Sequence, residues 1–213
     1  MFNSHAQMGE DIRLWNALKD IKNGFYIDVG AQHPIADSVS LGFYEQGWRG
    51  IHVEPVNVYA ALLRHHRPDE LVIETALSDH DGPIEFTVFN NTGLSTAVAE
   101  FANRHKAKGH PAESIQVNAL TLMKALGKNV YNVVHWLKID VEGYELEVLK
   151  GWDHAILRPW IIVVEATEPN TSISNHEKWE HILIAAGYDF VKFDGLNRFY
   201  VAKEHPELSG ALS

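Results

Sequence analysis

Five acidic residues stand at or just past the ends of apolar runs: Asp28, Glu54, Asp79, Asp140 and Glu165. Carboxylates so placed can accept hydrogen bonds from a ribose diol, orient or deprotonate a hydroxyl, or share a hard cation. For any one of them an ordinary role competes, because acids often cap a following helix or complement its dipole. Gathered on one rim, they repel one another unless a ligand, a cation or a basic side chain relieves them. In an open α/β sheet that rim, beyond the carboxyl ends of the strands, is where ligands bind.

The stretch from Gly24 to Pro55, GFYIDVGAQHPIADSVSLGFYEQGWRGIHVEP, must position the first two acids. It reads as an apolar strand ending in Asp28-Val29-Gly30-Ala31, a helix, and a second strand ending in Glu54-Pro55. That is the front half of a nucleoside-binding unit, with Glu54 suited to ribose hydroxyls. A dinucleotide fingerprint would carry more glycines after Gly30, whereas Gln32 and Pro34 stand there. The pattern argues for a nucleoside cofactor without phosphates, of which S-adenosylmethionine is the commonest. Asp28 and Gly30, with Ala31 and Pro55 beside the same strand ends, then shape its pocket. Ser78-Asp79 falls where an adenine edge would lie, or simply belongs to the turn Ser78-Asp79-His80-Asp81-Gly82.

Lys138-Ile139-Asp140-Val141-Glu142-Gly143-Tyr144-Glu145 follows another apolar run. Asp140 is the leading candidate to orient or deprotonate a hydroxyl. Glu142 either joins it or sits in a first helical turn. Glu165 can join Asp140 around a hard cation such as Mg²⁺, which takes oxygen ligands. His33, in the cofactor loop, is either an acid/base group or a structural loop residue. The other histidines lack metal-binding spacing; His176 and His181 are five apart and miss the register of a zinc-binding helix.

The elements that carry these residues alternate. Helical periodicity covers 7–21, with Ile12, Trp15, Leu18 and Ile21 on one face, and strand 25–29 follows. A helix capped by Asp37 or Ser38 stops near Gly47, then strand 50–54 leads to a helix from Asn57 to about residue 65. A third strand spans 71–77. Residues 84–89 alternate like an exposed strand, and 90–112 form an excursion or lid with a helix at 96–106. Strand 115–117 and helix 120–126 precede strand 133–139 and helix 142–149. Strand 161–164, helix 176–186 stopped by Gly187, and a hairpin of 190–193 with 198–201 complete the chain. Ser4-His5-Ala6-Gln7 has the form of a capping box. The implied fold is a mostly parallel sheet with one antiparallel strand and helices on both faces.

At 213 residues this is one domain, read as a helical segment at 1–23, a core at 24–203 and a tail at 204–213. A net charge of −10 disfavours nucleic acid as a partner. The chain has no cysteine, no membrane-length apolar run and no signal-peptide layout, so a cytoplasmic location without membrane insertion is expected.

The chain resembles the FkbM family of S-adenosylmethionine-dependent methyltransferases, on GFYIDVGA, FYEQGWRGIHVEP, the LSD at 77–79, GLST at 93–96, LKIDVEGYE, EATEPN and FDGLNRFYV. The resemblance implies a Rossmann-like class I methyltransferase fold with a seven-stranded sheet, and methyl transfer usually to a hydroxyl. The DGLNRFYV ending is similar to that of members found beside polysaccharide genes, so a sugar hydroxyl of a glycan or nucleotide sugar is the expected acceptor. By position, Asp28 and Gly30 belong to the cofactor loop, Glu54 to the ribose contact, and Asp140 with Glu142 to the acidic motif. Gln7, Glu10 and Asp11 match a segment folding over the pocket. Glu10, Ser95, Thr96, Asn197 and Arg198 are the expected acceptor contacts. Gln32 stands where an Asn is common in the family. An N-methyltransferase, a non-catalytic S-adenosylmethionine-binding protein and a nicotinamide oxidoreductase remain as alternatives, and self-association is left open.

Overall fold

The computed structural model describes residues 2–129 and 133–212. In chain order the elements are α1 (Glu10–Leu18), β1 (Phe25–Val29), α2 (Leu41–Glu45), β2 (Arg49–Val53), α3 (Asn57–His66), β3 (Leu71–Ile73), β4 (Ala76–Leu77), β5 (Gly82–Val88) and α4 (Ala99–Ala107). There follow β6 (Glu113–Leu120), α5 (Leu122–Leu126), β7 (Trp136–Ile139), α6 (Glu145–Lys150), β8 (Ile161–Glu165), α7 (Glu180–Ala185), β9 (Tyr188–Phe193), β10 (Asn197–Ala202) and α8 (Ser209–Leu212).

Seven strands form one sheet in the order β3-β2-β1-β7-β8-β10-β9. Only β10 runs antiparallel, to both β8 and β9. The chain leaves β1 toward β2 and β3, then returns to lay β7 on the other side of β1. That reversal makes the carboxyl ends of β1 and β7 the topological switch point, where α/β sheets bind ligands. Buried on both faces, β7 and β8 read as nearly continuous apolar runs, WLKI and IIVVE.

The two-residue pleat sorts side chains between two cores. Ile27, Val29, Leu137, Ile139, Ile162 and Val164 pack with Val148, Leu149 and Leu183 on one face. On the other face, Tyr26 and Trp136 stack at 4.6 Å, beside Val163, Phe199 and the buried Leu14 and Leu18 of α1. Tyr26 pairs across the strands with Gly50, where any Cβ would overlap its ring. Continuing the Tyr26 face to the carboxyl end brings Asp28, His52 and Lys138 into one row, since Asp28 is in register with both neighbours. The second face therefore changes from aromatic to charged within one residue pair.

Several elements differ from the sequence reading. In α1 the buried stripe is Leu14 and Leu18, while Ile12 is 43% exposed and the helix ends before Ile21. No helix starts at the Ser4 capping box; Ser4 instead donates to Asp11 Oδ1 at 2.7 Å, and Asp11 also accepts the His5 and Ala6 amides. Neither Asp37 nor Ser38 caps α2, whose N-cap is Ser40 with no side-chain bond. The single strand expected at 71–77 is broken. Thr75 donates to the Asn118 carbonyl at 2.7 Å, and β4 pairs with β6 in a separate sheet of order β4-β6-β5. Tertiary pairing overrides a run that carries no local turn signal.

Candidate active site

The loops after β1, β2 and β7 enclose a cavity of about 630 Å³ at the switch point. Gly30 makes it possible. Its φ of +78° is a left-handed conformation that non-glycine residues adopt at a cost, and a Cβ there would overlap the carbonyl oxygen of Asp140. The tips of β1 and β7 touch at that point. Asp140 donates its amide to Val29 O at 3.1 Å, and Gly30 donates to Val53 O at 2.9 Å.

Glu54, 4% exposed, accepts the Gln32 amide at 2.9 Å and the Val56 amide at 2.7 Å, one on each carboxylate oxygen. Burial pushes its pKa up from 4.5 to about 7; the two amides pull it down and the nearby Asp28 pushes it up again. Gln32, held at φ +48°, also donates its side-chain amide to the Thr92 carbonyl at 2.7 Å. The Gln32 backbone thus fixes Glu54, and its side chain ties the 91–95 loop to the cofactor loop. That loop is docked a second time where Thr96 donates to the Glu142 carbonyl at 2.8 Å.

Lys138 is the functional side chain that sequence reasoning missed. It is 7% exposed and donates to Asp140 Oδ2 at 2.6 Å. Burial alone would lower its pKa, but Asp140, Glu10 and Asp28 outweigh that and raise it, so the ammonium is kept. The available signal was a lysine in an otherwise apolar strand, two residues before an acid and so on the same face. Glu10, brought over this face by α1, is 2% exposed, and burial raises its pKa.

Glu10, Asp28, Gly30, Ala31, His33, Glu54, Pro55, Ser95, Asp140 and Glu142 all line the cavity, with Gln7 and Lys138. Within it His33 has a structural task, since its Nδ1 accepts the Ile35 and Ala36 amides at 3.1 and 3.0 Å. Ser95 accepts the Phe89 amide at 3.1 Å. Glu165 ends β8 and is 4% exposed; its ligand oxygen lies within 4.8 Å of those of Asp140 and Glu142. No other group of three or more acids or histidines among the described residues gathers its ligand atoms in this way.

Other expected contacts lie elsewhere. Ser78 and Asp79 follow β4 in the smaller sheet and do not line the cavity; Asp79 is exposed, with its Oδ1 2.6 Å from His80 Nδ1. The chain has already left the main sheet at Thr75, so these two residues stand outside the cavity at the switch point. The neighbouring groove instead is apolar, walled by Pro55, Leu77, Ile84, Phe86, Val141 and Tyr144. Thr96 is buried under the loop it anchors. Asn197 is fully buried against Asp194. Arg198 is committed to Glu180 at 2.7 Å and to Tyr200, and lies over the Phe190 ring. The β10 hairpin spends these two residues on packing, away from the cavity.

The model of the methyltransferase FkbM domain matches residues 28–190. The chain belongs to the FkbM methyltransferase family, and it is an S-adenosylmethionine-dependent methyltransferase. Its strand order, with the antiparallel hairpin at one edge, is that of the class I methyltransferase fold. Among curated proteins the comparison finds no match. Similar solved structures include a TehB-like SAM-dependent methyltransferase from Corynebacterium glutamicum, 8% identical over 91% of this chain and 88% of that one, TM-score 0.49. A precorrin-6y C5,15-methyltransferase from Geobacter metallireducens is 14% identical over 92% and 87%, TM-score 0.45. An O-methyltransferase from Bacillus cereus in complex with SAH is 12% identical over 94% and 84%, TM-score 0.48. No helix among the described residues is long and apolar enough to cross a membrane.

Proposed function

We propose that the protein transfers the methyl group of S-adenosylmethionine to a hydroxyl of a sugar, in a glycan or nucleotide sugar, or of a similar small polyol. The observation that carries this is the Lys138–Asp140 pair at 2.6 Å beside Gly30. Asp140 gives Oδ2 to the ammonium, which fixes the carboxylate and leaves Oδ1 to accept a hydroxyl proton. Bound at the switch point, S-adenosylmethionine supplies a methyl on a cationic sulfur, so no protein group has to activate the carbon. Binding and aiming the acceptor is then the protein's task, and alignment of this kind is worth on the order of 7–11 kcal/mol in the best intramolecular models. Glu54 receives the ribose hydroxyls, and the apolar groove beside Pro55, Phe86 and Val141 suits a flat base. The absence of cysteine supports a cytoplasmic setting, with small molecules or glycans rather than nucleic acid as partners.

A second reading, N-methylation of an amine, draws support from the cavity's charge. Glu10, Asp28, Glu54, Asp140 and Glu142 line it against the single ammonium of Lys138. Incubation of nucleotide sugars, glycans and amino sugars with labelled methyl donor separates the two. A labelled sugar ether is the expected product; a labelled N-methyl group on every productive acceptor would overturn the hydroxyl reading.

The ribose contact makes its own prediction. Ionised, Glu54 offers both oxygens as charged acceptors to the ribose diol, whereas protonated it turns one of them into a donor, so affinity for S-adenosylmethionine should rise as the pH climbs through about 7. Glu54→Ala should weaken binding by on the order of tenfold or more, the worth of a hydrogen bond to a charged group, and flatten that pH dependence. Calorimetric titration on either side of neutrality checks both, and an unaltered dissociation constant refutes the assignment.

A further inference from the structure

We propose that Asp140, Glu142 and Glu165 together hold one divalent, oxygen-preferring cation of the Mg²⁺ class, and that an acceptor diol docks on it. The docking half rests on the sugar reading above; the cation half does not.

The three carboxylates come from different places. Asp140 follows β7, Glu142 stands two residues on at a left-handed φ of +54°, and Glu165 closes β8 on the neighbouring strand. Glutamate is not a residue that favours that conformation, so backbone strain is being held where the carboxylate enters the group. One oxygen from each lies within 4.8 Å of the others. Oxygens on opposite sides of an Mg²⁺ or Ca²⁺ ion are about 4–5 Å apart, so a single ion can bridge the set.

Glu165 is the independent sign of a ligand. It is 4% exposed, and its Oε2 is buried with no hydrogen-bond partner among the described residues. A buried carboxylate without a partner is costly, and the lysine that could have served it, Lys138, is bonded to Asp140. The three carboxylates share the Lys138 ammonium with Glu10 and Asp28, which leaves negative charge that a divalent cation would relieve. The alternative relief is protonation. Consistent with that tension, burial and the charge of Asp140 raise the pKa of both Glu142 and Glu165 well above the usual range. An oxygen-preferring ion takes six or more ligands, so three carboxylate oxygens leave coordination positions for a chelating pair of hydroxyls.

The test is Mn²⁺ and Mg²⁺ titration of the full chain at about pH 8, above the ordinary carboxylate range, with S-adenosylmethionine affinity measured on the same samples. The expected result is one saturable ion per chain, with affinity reduced on the order of tenfold or more by Glu165→Gln and by Glu142→Gln. Cofactor affinity is expected to change by no more than about threefold in these variants, because neither residue is assigned to the cofactor. If Glu165→Gln does not fold, Glu142→Gln, at the half-buried position, decides. Absence of saturable Mn²⁺ binding to the wild type, or unchanged binding by the folded variants, overturns the proposal. Loss of S-adenosylmethionine binding by the wild type would strike at the methyltransferase reading instead, so the two failures are separable.

Discussion

Gly30→Ala should abolish measurable S-adenosylmethionine binding and lower stability by on the order of 2–5 kcal/mol, a left-handed backbone penalty added to that of an overpacked buried position. Two effects combine. The left-handed φ of +78° costs a residue with a Cβ roughly 1–2 kcal/mol. The new carbon also overlaps the Asp140 carbonyl, which is backbone and cannot rotate away. Relief requires the tips of β1 and β7 to part, and the same movement displaces Asp140 and the amides that hold the cofactor loop. Gly109→Ala is the control: its φ is +87°, and nothing lies within 4 Å of the added carbon. It should cost only the conformational part, about 1–2 kcal/mol. Chemical denaturation and cofactor titration of both variants check this. Equal losses in the two would show that the close approach at the switch point is not what the glycine secures.

The strands were legible because their chemistry is local. FYIDV is bounded by glycines and enriched in aromatic and β-branched residues, and β1 has the bounds that this pattern implies. The helix after β7 was placed too early, at Glu142, since its acids resemble a first turn; Gly143 at φ +95° delays α6 to Glu145. The break between β3 and β4 was not legible, because Glu74-Thr75 looks like any strand interior and only β6, some forty residues on, pulls the chain away. The same holds for the site. Glycine, terminal acids and strand order pointed to the switch point, and Asp28, Glu54 and Asp140 meet there. Asp79 ends a run that looks identical in sequence yet belongs to the other sheet. Lys138 went unassigned because a lysine in a strand is ordinarily solvated, and only the folded chain buries it and gathers Asp140, Glu10 and Asp28 around it.

Asp140→Asn separates chemistry from binding. The substitution keeps the shape, and the amide oxygen can still accept the Lys138 ammonium at the place Oδ2 now occupies. The second position becomes an NH₂ group, which donates where the carboxylate accepted. An incoming hydroxyl then meets a donor, loses the group that orients its proton and has no base to take it. Turnover should fall at least tenfold and as much as about 10²–10⁴-fold, the usual span for a positioned base. Affinity for S-adenosylmethionine should shift by less than about threefold, since Glu54 and the Gly30 turn are untouched. Because the buried ammonium loses part of its compensation, with only Glu10 and Asp28 left as full charges, folding must be verified by thermal denaturation before rates are compared. A loss that persists in kcat at saturating acceptor places the carboxylate in the transition state. Unchanged turnover in a folded, cofactor-binding variant would remove Asp140 from the chemistry and leave the Lys138 pair as a structural tie between β7 and its loop.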